Sequence, residues 1–377
     1  MTNKDIVSII RPSTNLILAC AVFLISGCTA NISAAESTDA QSSGPGTSSP
    51  ATESCDASHI DMDKINGAVS WIANNVNYID SMIIKHCDTV IVEKYYNDFN
   101  ATTMHELQSG TKTFSSTLAA ILLRKGVIKS LDQPISELLP KYSSLLTGPK
   151  ANITVRHLLE MTSGLHWNDF VPPTSFTEIA AARDSIKYVL SQPLDTTPGA
   201  SFAYNTGSSH LLAAIVQTQT GMSAAKYAEQ ELFEPLGITS YTWPALNDGI
   251  NQSGWGMYMK PIDYIKLAEL YRNGGAWNGL QIIDKSFAEA ATVKQVVTGH
   301  THFLEDYGYM MWIEEDFGTP VVAGARGYGG QDSLVARAQG YTITFTGSIE
   351  QPGAMANDIH YLFNEYIIPS HVGPSHQ

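Results

Sequence analysis

MHELQSGTKTFSSTLAAILLRKGVI, residues 104–128, is the stretch from which the rest of the chain can be ordered. From Thr111 to Lys125 the apolar positions Phe114, Leu118, Ile121 and Leu122 recur at helical spacing, and Gly126 stands where a helix C-terminus wants a glycine. A helix is therefore expected to begin just after Ser109. Ser109 and Lys112 are three residues apart, which puts both on one face of its first turn. A serine hydroxyl is a poor nucleophile until a base takes its proton, and an amine held out of water can serve as that base. A lone S-x-x-K arises by chance in many chains. Here the tetrapeptide runs directly into an amphipathic helix, as the geometry requires.

Upstream, Ile65, Ala68, Val69, Ile72 and Val76 follow a helical period over about 61–76. IDSMIIK and TVIVEKYY come next, separated by His86, Cys87 and Asp88, and read as a β-hairpin with a short polar turn. Downstream the signals turn helical. Thr154 can cap a helix through Met161, Ser223 one reaching Phe233, and Pro261 can open another that ends at Gly274-Gly275. DSLVARA and YTITFTGSI return to strand character, followed by a helical spacing through Ile359, Leu362, Phe363 and Tyr366. This order predicts an α+β fold: an antiparallel sheet assembled from both ends of the chain, flanked by N- and C-terminal helices, with a helical subdomain inserted. The α/β part is expected over about 59–108 and 276–377, and the helical part over about 109–275.

Several segments in fixed order carry a family resemblance. LQSGTKTFSSTLAAILLRKGVI and SLDQPISELLP, then ITVRHLLEMTSGL, PGASFAYNTGSSHLL, GWGMYMKPIDYIKLAEL and GYGGQ together make about 60–370 resemble the S-x-x-K serine hydrolases related to class C β-lactamases and penicillin-binding proteins, in particular an esterase and 6-aminohexanoate-dimer hydrolase-like branch. The resemblance implies a β-lactamase/transpeptidase-like fold with Ser109 as nucleophile, activated by Lys112 and Tyr204, the last standing at the tyrosine of a Tyr-x-Asn motif. At the third position of that motif stands Thr206, with Asn205 one place early, so the substrate-binding role of the motif's asparagine falls to Asn205 or Thr206 or stands vacant. The third family motif, commonly Lys-Thr-Gly or His-x-Gly, corresponds to Gly327-Tyr328-Gly329 and so lacks its cation; Arg326 lies one strand register off. Tyr328 and Gly329 are expected near substrate, and the N–H groups of Ser109 and Gly330 to form an oxyanion hole. Trp167 and Asp169, and the aromatic run from Tyr307 to Trp312, are further candidates for a cleft lining. His105, His157, His166 and His210 suggest a Ser-His-Asp triad, but no G-x-S-x-G elbow accompanies them.

The first residues read as an export signal. Lys4 and Arg11 precede the apolar LILACAVFLI, and Ile25-Ser26-Gly27-Cys28 resembles a lipobox. A signal over 1–27, acylation at Cys28 and a flexible Ser/Thr/Pro/Gly-rich tether over 28–58 predict an exported, periplasmic hydrolase domain over 59–377 that meets the membrane through a lipid anchor alone. In that compartment Cys55 and Cys87 can form a disulfide. A net charge of −14 with scattered Lys and Arg argues against nucleic acid. No metal-ligand motif occurs, so neither metal nor cofactor is expected. The expected partner is a small-molecule or short peptide or amide substrate. Two other readings stand beside the esterase or amidase: a true β-lactamase or D,D-peptidase, and a tethered binding protein that has lost the chemistry.

Overall fold

The computed structural model describes residues 60–299, 306–314, 322–347 and 358–372. The signal, Cys28, the tether and Cys55 lie outside them. Helix α1 (Met62–Asn75) starts at Asp61, whose carboxylate accepts from the N–H groups of Asp63 and Lys64, and it buries Ile65, Ala68 and Ile72. Strands β1 (Ile79–His86) and β2 (Thr89–Tyr95) form the expected hairpin, turning at Cys87, which has φ +51° and is disulfide-bonded.

The remaining strands of the main sheet are β3 (Val296–Val297), β4 (Asp306–Tyr307), β5 (Trp312–Glu314), β6 (Val322–Gly327), β7 (Gln331–Ala336) and β8 (Tyr341–Gly347). Among the described residues they join as an antiparallel sheet in the order β2-β1-β8-β7-β6-β5-β4-β3. The two ends of the chain meet at β1 and β8, where Met82 faces Phe345 and Ile84 faces Ile343. One face of the sheet packs Ile343 and Phe345 against Ile65 and Ile72 of α1 and against Ile359, Leu362 and Phe363 near the C-terminus. Each large apolar side chain so buried stabilises the fold by about 2 kcal/mol before entropy is counted. The fold is the β-lactamase/transpeptidase-like one, and the terminal helices cover the sheet as the sequence order predicts.

The other face carries α2 (Thr111–Arg124) and, further along the chain, α4 (Pro261–Arg272). Between these in sequence, α3 (Thr206–Thr220) forms the centre of the helical part, with eleven of its residues buried from Thr206 to Val216, and Gly221 ends it at φ +71°. A helix buried on every side, with Thr206, Ser208, Ser209 and His210 among its enclosed residues, lacks the one-sided apolar stripe by which sequence period reveals a helix. Helix α4 packs on β7 and β8. Ser333 Oγ donates to Tyr264 O at 2.9 Å and Arg337 Nη2 to Tyr271 O at 2.7 Å. The helix capped by Thr154 is shorter than its apolar spacing suggests, covering Val155–Leu159, because Met161 takes φ +57°.

A buried chain ties this helical part together. His210 Nε2 lies 2.7 Å from Ser185 Oγ, whose hydroxyl donates to Asp248 Oδ2 at 2.6 Å. With the Ser185 hydroxyl donating to Asp248, His210 donates through Nε2, and among the described residues its Nδ1 has no partner. Burial lowers the His210 pKa from 6.5 to about 4, against the opposing pull of Asp248. The unfolded chain binds that proton near pH 6.5 and the folded one only near pH 4, so stability that is complete above pH 6.5 falls as the pH drops toward 4. The expected loss from this residue is about 3 kcal/mol. Urea midpoints measured across this range should fall with acid, and His210→Gln should flatten the fall; an unchanged slope would refute the assignment.

Candidate active site

Ser109 sits in a single turn, Gln108–Gly110, that feeds α2. Leu107 just before it is fully buried and donates its N–H to Met257 O at 2.7 Å, while Gln108 takes φ +49°, a strained value for a residue with a side chain. This turn leaves Ser109 half-buried, between half-buried Gln108 and buried Gly110. Gly110 is required by packing from the far side: a Cβ there would lie 2.1 Å from the Tyr264 hydroxyl of α4.

Lys112 is 2% exposed, and its Nζ donates to Ser109 Oγ at 3.1 Å and to Gly254 O at 2.7 Å. The Tyr204 ring comes from the opposite wall, its centroid 4.9 Å from the same nitrogen. Structure thus brings Ser109, Lys112 and Tyr204 together, but Tyr204 meets the amine with its ring face and its hydroxyl forms no hydrogen bond among the described residues. Lys112 is the group hydrogen-bonded to the serine oxygen.

The residues after Tyr204 are engaged in building the wall. Asn205 is 1% exposed and caps α3, accepting from Ser208 N at 3.0 Å and donating Nδ2 to Leu165 O at 3.3 Å. Its amide is committed to the fold. Thr206 is 4% exposed, and its methyl lies 2.1 Å from where a Cβ of Gly254 would be, so the Thr206 side chain backs the glycine whose carbonyl holds Lys112. Trp167 lies under the same helix turn: its ring would be 2.6 Å from a Cβ on Gly207, and its Nε1 donates to Asp169 Oδ1 at 2.7 Å. Asp169 Oδ2 accepts the Thr206 N–H at 3.0 Å, placing a carboxylate on the N-terminus of α3.

The glycine motif is the turn between β6 and β7. The ladder closes at Gly327 and Gln331, leaving Tyr328, Gly329 and Gly330 in the turn, with φ +82° and +75° at the two glycines. Gln331 Nε2 donates to Gly329 O at 3.0 Å and steadies it. A Cβ on Gly327 would lie 2.2 Å from Leu107 O, so this strand end presses directly on the backbone leading to Ser109. There is no room for a side chain at the position where the family motif carries its cation. Arg326 does not substitute. Its guanidinium, 10% exposed, donates to Glu314 Oε2 at 2.7 Å and lies 3.9 Å from Asp332 Oδ2. Glu314 also bonds His360 Nδ1, and Asp332 is pushed up to about 6 by burial, which Arg326 only partly offsets.

The histidines take structural places. His157 completes a capping box with Thr154, and His166 pairs with Asp195 at the surface, 2.8 Å apart. His105 lies 3.8 Å from Asp80, yet burial lowers its pKa to about 4, so the pair is not ionic at neutral pH. Two features that sequence reading passed over are the Gly254 carbonyl and Phe170, whose ring lies 6.1 Å from Tyr204. A carbonyl carries no residue-type signal, whereas the exposed FVPP run at 170–173 is an apolar loop that composition alone could have flagged. Among the described residues no cluster of His, Cys, Asp and Glu could hold a metal, and no helix is long and apolar enough to cross a membrane.

The chain is 28% identical to Protein flp of Staphylococcus aureus (strain COL) over 147 residues, which cover 39% of this chain and 29% of that protein. It therefore spans under a third of the length of that relative. Among solved structures it is similar to a candidate 6-aminohexanoate-dimer hydrolase from Bacillus anthracis, at TM-score 0.67 and 21% identity over 80% of this chain and 81% of that one. A D-stereospecific amidohydrolase from Streptomyces sp. gives TM-score 0.64 and 19% identity over 81% and 99% of the two chains. With the Beta-lactamase family model matching residues 79–364, and an S-x-x-K pair in hydrogen-bond contact at the head of α2, the chain belongs to the Beta-lactamase family.

Proposed function

We propose that the protein hydrolyses a neutral carboxylic ester or amide through an acyl-enzyme on Ser109. The observation that carries this reading is the 3.1 Å contact between Lys112 Nζ and Ser109 Oγ, made by an amine that is almost wholly buried. Ser109 Oγ attacks the carbonyl carbon while its proton passes to Lys112, the base already in contact with it. The N–H groups of Ser109 and Gly330 receive the oxygen that becomes anionic, an arrangement worth about 3 kcal/mol of barrier per donor. The proton then leaves along the Lys112 and Tyr204 side to the departing oxygen or nitrogen, and water repeats the sequence to release the acid. Export to the periplasm and anchoring through an acylated Cys28 belong to the same proposal and rest on residues 1–28.

The β-lactamase or D,D-peptidase reading is disfavoured by one feature. Gly327 leaves no space for the third-motif cation and Arg326 is held by Glu314, so this motif offers nothing to a substrate carboxylate. Loss of chemistry altogether is disfavoured by the intact contact between Ser109 and Lys112. Intact-mass spectrometry after exposure to esters, amides, D-amino peptides and β-lactams separates the three. Adducts on Ser109 from esters or amides, without a lasting penicillin adduct or nitrocefin turnover, are expected. Turnover of nitrocefin would favour the second reading, and inertness to every acylating probe the third.

A further inference from the structure

The rings around Tyr204 form a continuous surface at the nucleophile. Trp312 stacks on Tyr204 with centroids 5.5 Å apart and planes 21° apart, and Phe170 flanks the same phenol at 6.1 Å. Phe202 braces Trp312 at 6.1 Å and Tyr307 braces it edge-on at 4.9 Å. Tyr204, Trp312 and Phe202 are half-buried, whereas Phe170 and Val171 are 58% and 65% exposed. Two adjacent apolar side chains held in water beside the Tyr204 ring call for something to cover them. The neighbouring carboxylate, Asp169, is bonded to Trp167 and to the Thr206 N–H, and the surface beside it presents rings.

Acyl transfer decides which part of a substrate meets these rings. As the bond from Ser109 Oγ to the carbonyl carbon forms, the bond from that carbon to the leaving oxygen or nitrogen breaks, and the proton lost by Ser109 ends on the leaving atom. That proton comes from the side of Lys112, and Lys112 Nζ lies 4.9 Å from the Tyr204 ring. The leaving group therefore departs along Tyr204, while the carbonyl oxygen faces the glycine turn.

Resting on the Ser109 acyl-enzyme, we propose that Phe170, Tyr204 and Trp312 bind the leaving group, and that the favoured substrates are neutral esters or amides whose alcohol or amine portion carries a ring or branched apolar chain. Phe170 is the residue to test, because its exposure lets it be truncated without opening the core. With the full-length chain, Phe170→Ala should lower kcat/KM for benzyl acetate about five- to tenfold, the scale of a lost aromatic contact. Ethyl acetate and methyl phenylacetate, which lack an aromatic leaving group, should change by less than about twofold. Equal losses on all three, or the largest loss on methyl phenylacetate, would overturn the assignment. Binding of N-benzylacetamide to the Ser109→Ala chain, followed by calorimetry, gives a readout free of catalysis. Weakening of this binding by Phe170→Ala supports the subsite even where Ser109 proves inert, in which case the acyl-enzyme reading fails alone. Binding indifferent to Phe170 refutes the subsite whatever the turnover.

Discussion

Ser109→Ala is expected to abolish labelling by a fluorophosphonate and to lower ester or amide turnover on the order of 10⁵- to 10⁶-fold, the scale seen when a serine nucleophile is removed. The fold should survive it. Ser109 is half-buried, and among the described residues its side chain makes one hydrogen bond, with Lys112 at 3.1 Å, so the stability change is expected near 1 kcal/mol. A melting temperature within about 4 °C of the parent's beside lost labelling locates the chemistry in the hydroxyl. Labelling that persists in the variant would move the nucleophile elsewhere and remove the basis of the proposed function.

Lys112→Met should be the next largest effect, on the order of 10²- to 10⁴-fold on acylation, because it removes the positioned base while leaving the nucleophile in place. Methionine has nearly the same reach as the lysine stem and suits a site only 2% exposed. Two effects on stability oppose each other. The Gly254 carbonyl loses the donor at 2.7 Å, a cost of about 1–3 kcal/mol, while the buried amine no longer has to be desolvated. A net change in stability within about 2 kcal/mol is expected, so the activity loss should appear in a folded protein. Tyr204→Phe gives the contrast: it keeps the ring that Lys112 meets at 4.9 Å and removes only the hydroxyl. Acylation should suffer less in Tyr204→Phe than in Lys112→Met. The reverse order would make the phenol the base and displace Lys112 from that role.

The part of this protein that sequence alone determined is the part governed by neighbours along the chain. Helical spacing after Ser109 placed Lys112 on its face, alternating β-rich runs around Cys87 made the hairpin, and the return of strand character after residue 330 implied a sheet closed between the chain ends. Those features depend on backbone periods a few residues long, which local side chains specify directly. The finer features of the site came from contacts between residues remote in sequence. Lys112 is held by a carbonyl 142 residues further on, and Gly110 and Gly327 are glycines because Tyr264 and the Leu107 carbonyl occupy the space of their side chains. The sequence left Asn205 and Thr206 equally open, and only the tertiary structure shows the Asn205 amide capping α3 and bonding Leu165 while Thr206 packs behind Gly254. Packing between distant segments is set by three-dimensional complementarity, with no period to read, so the tertiary structure alone could assign it.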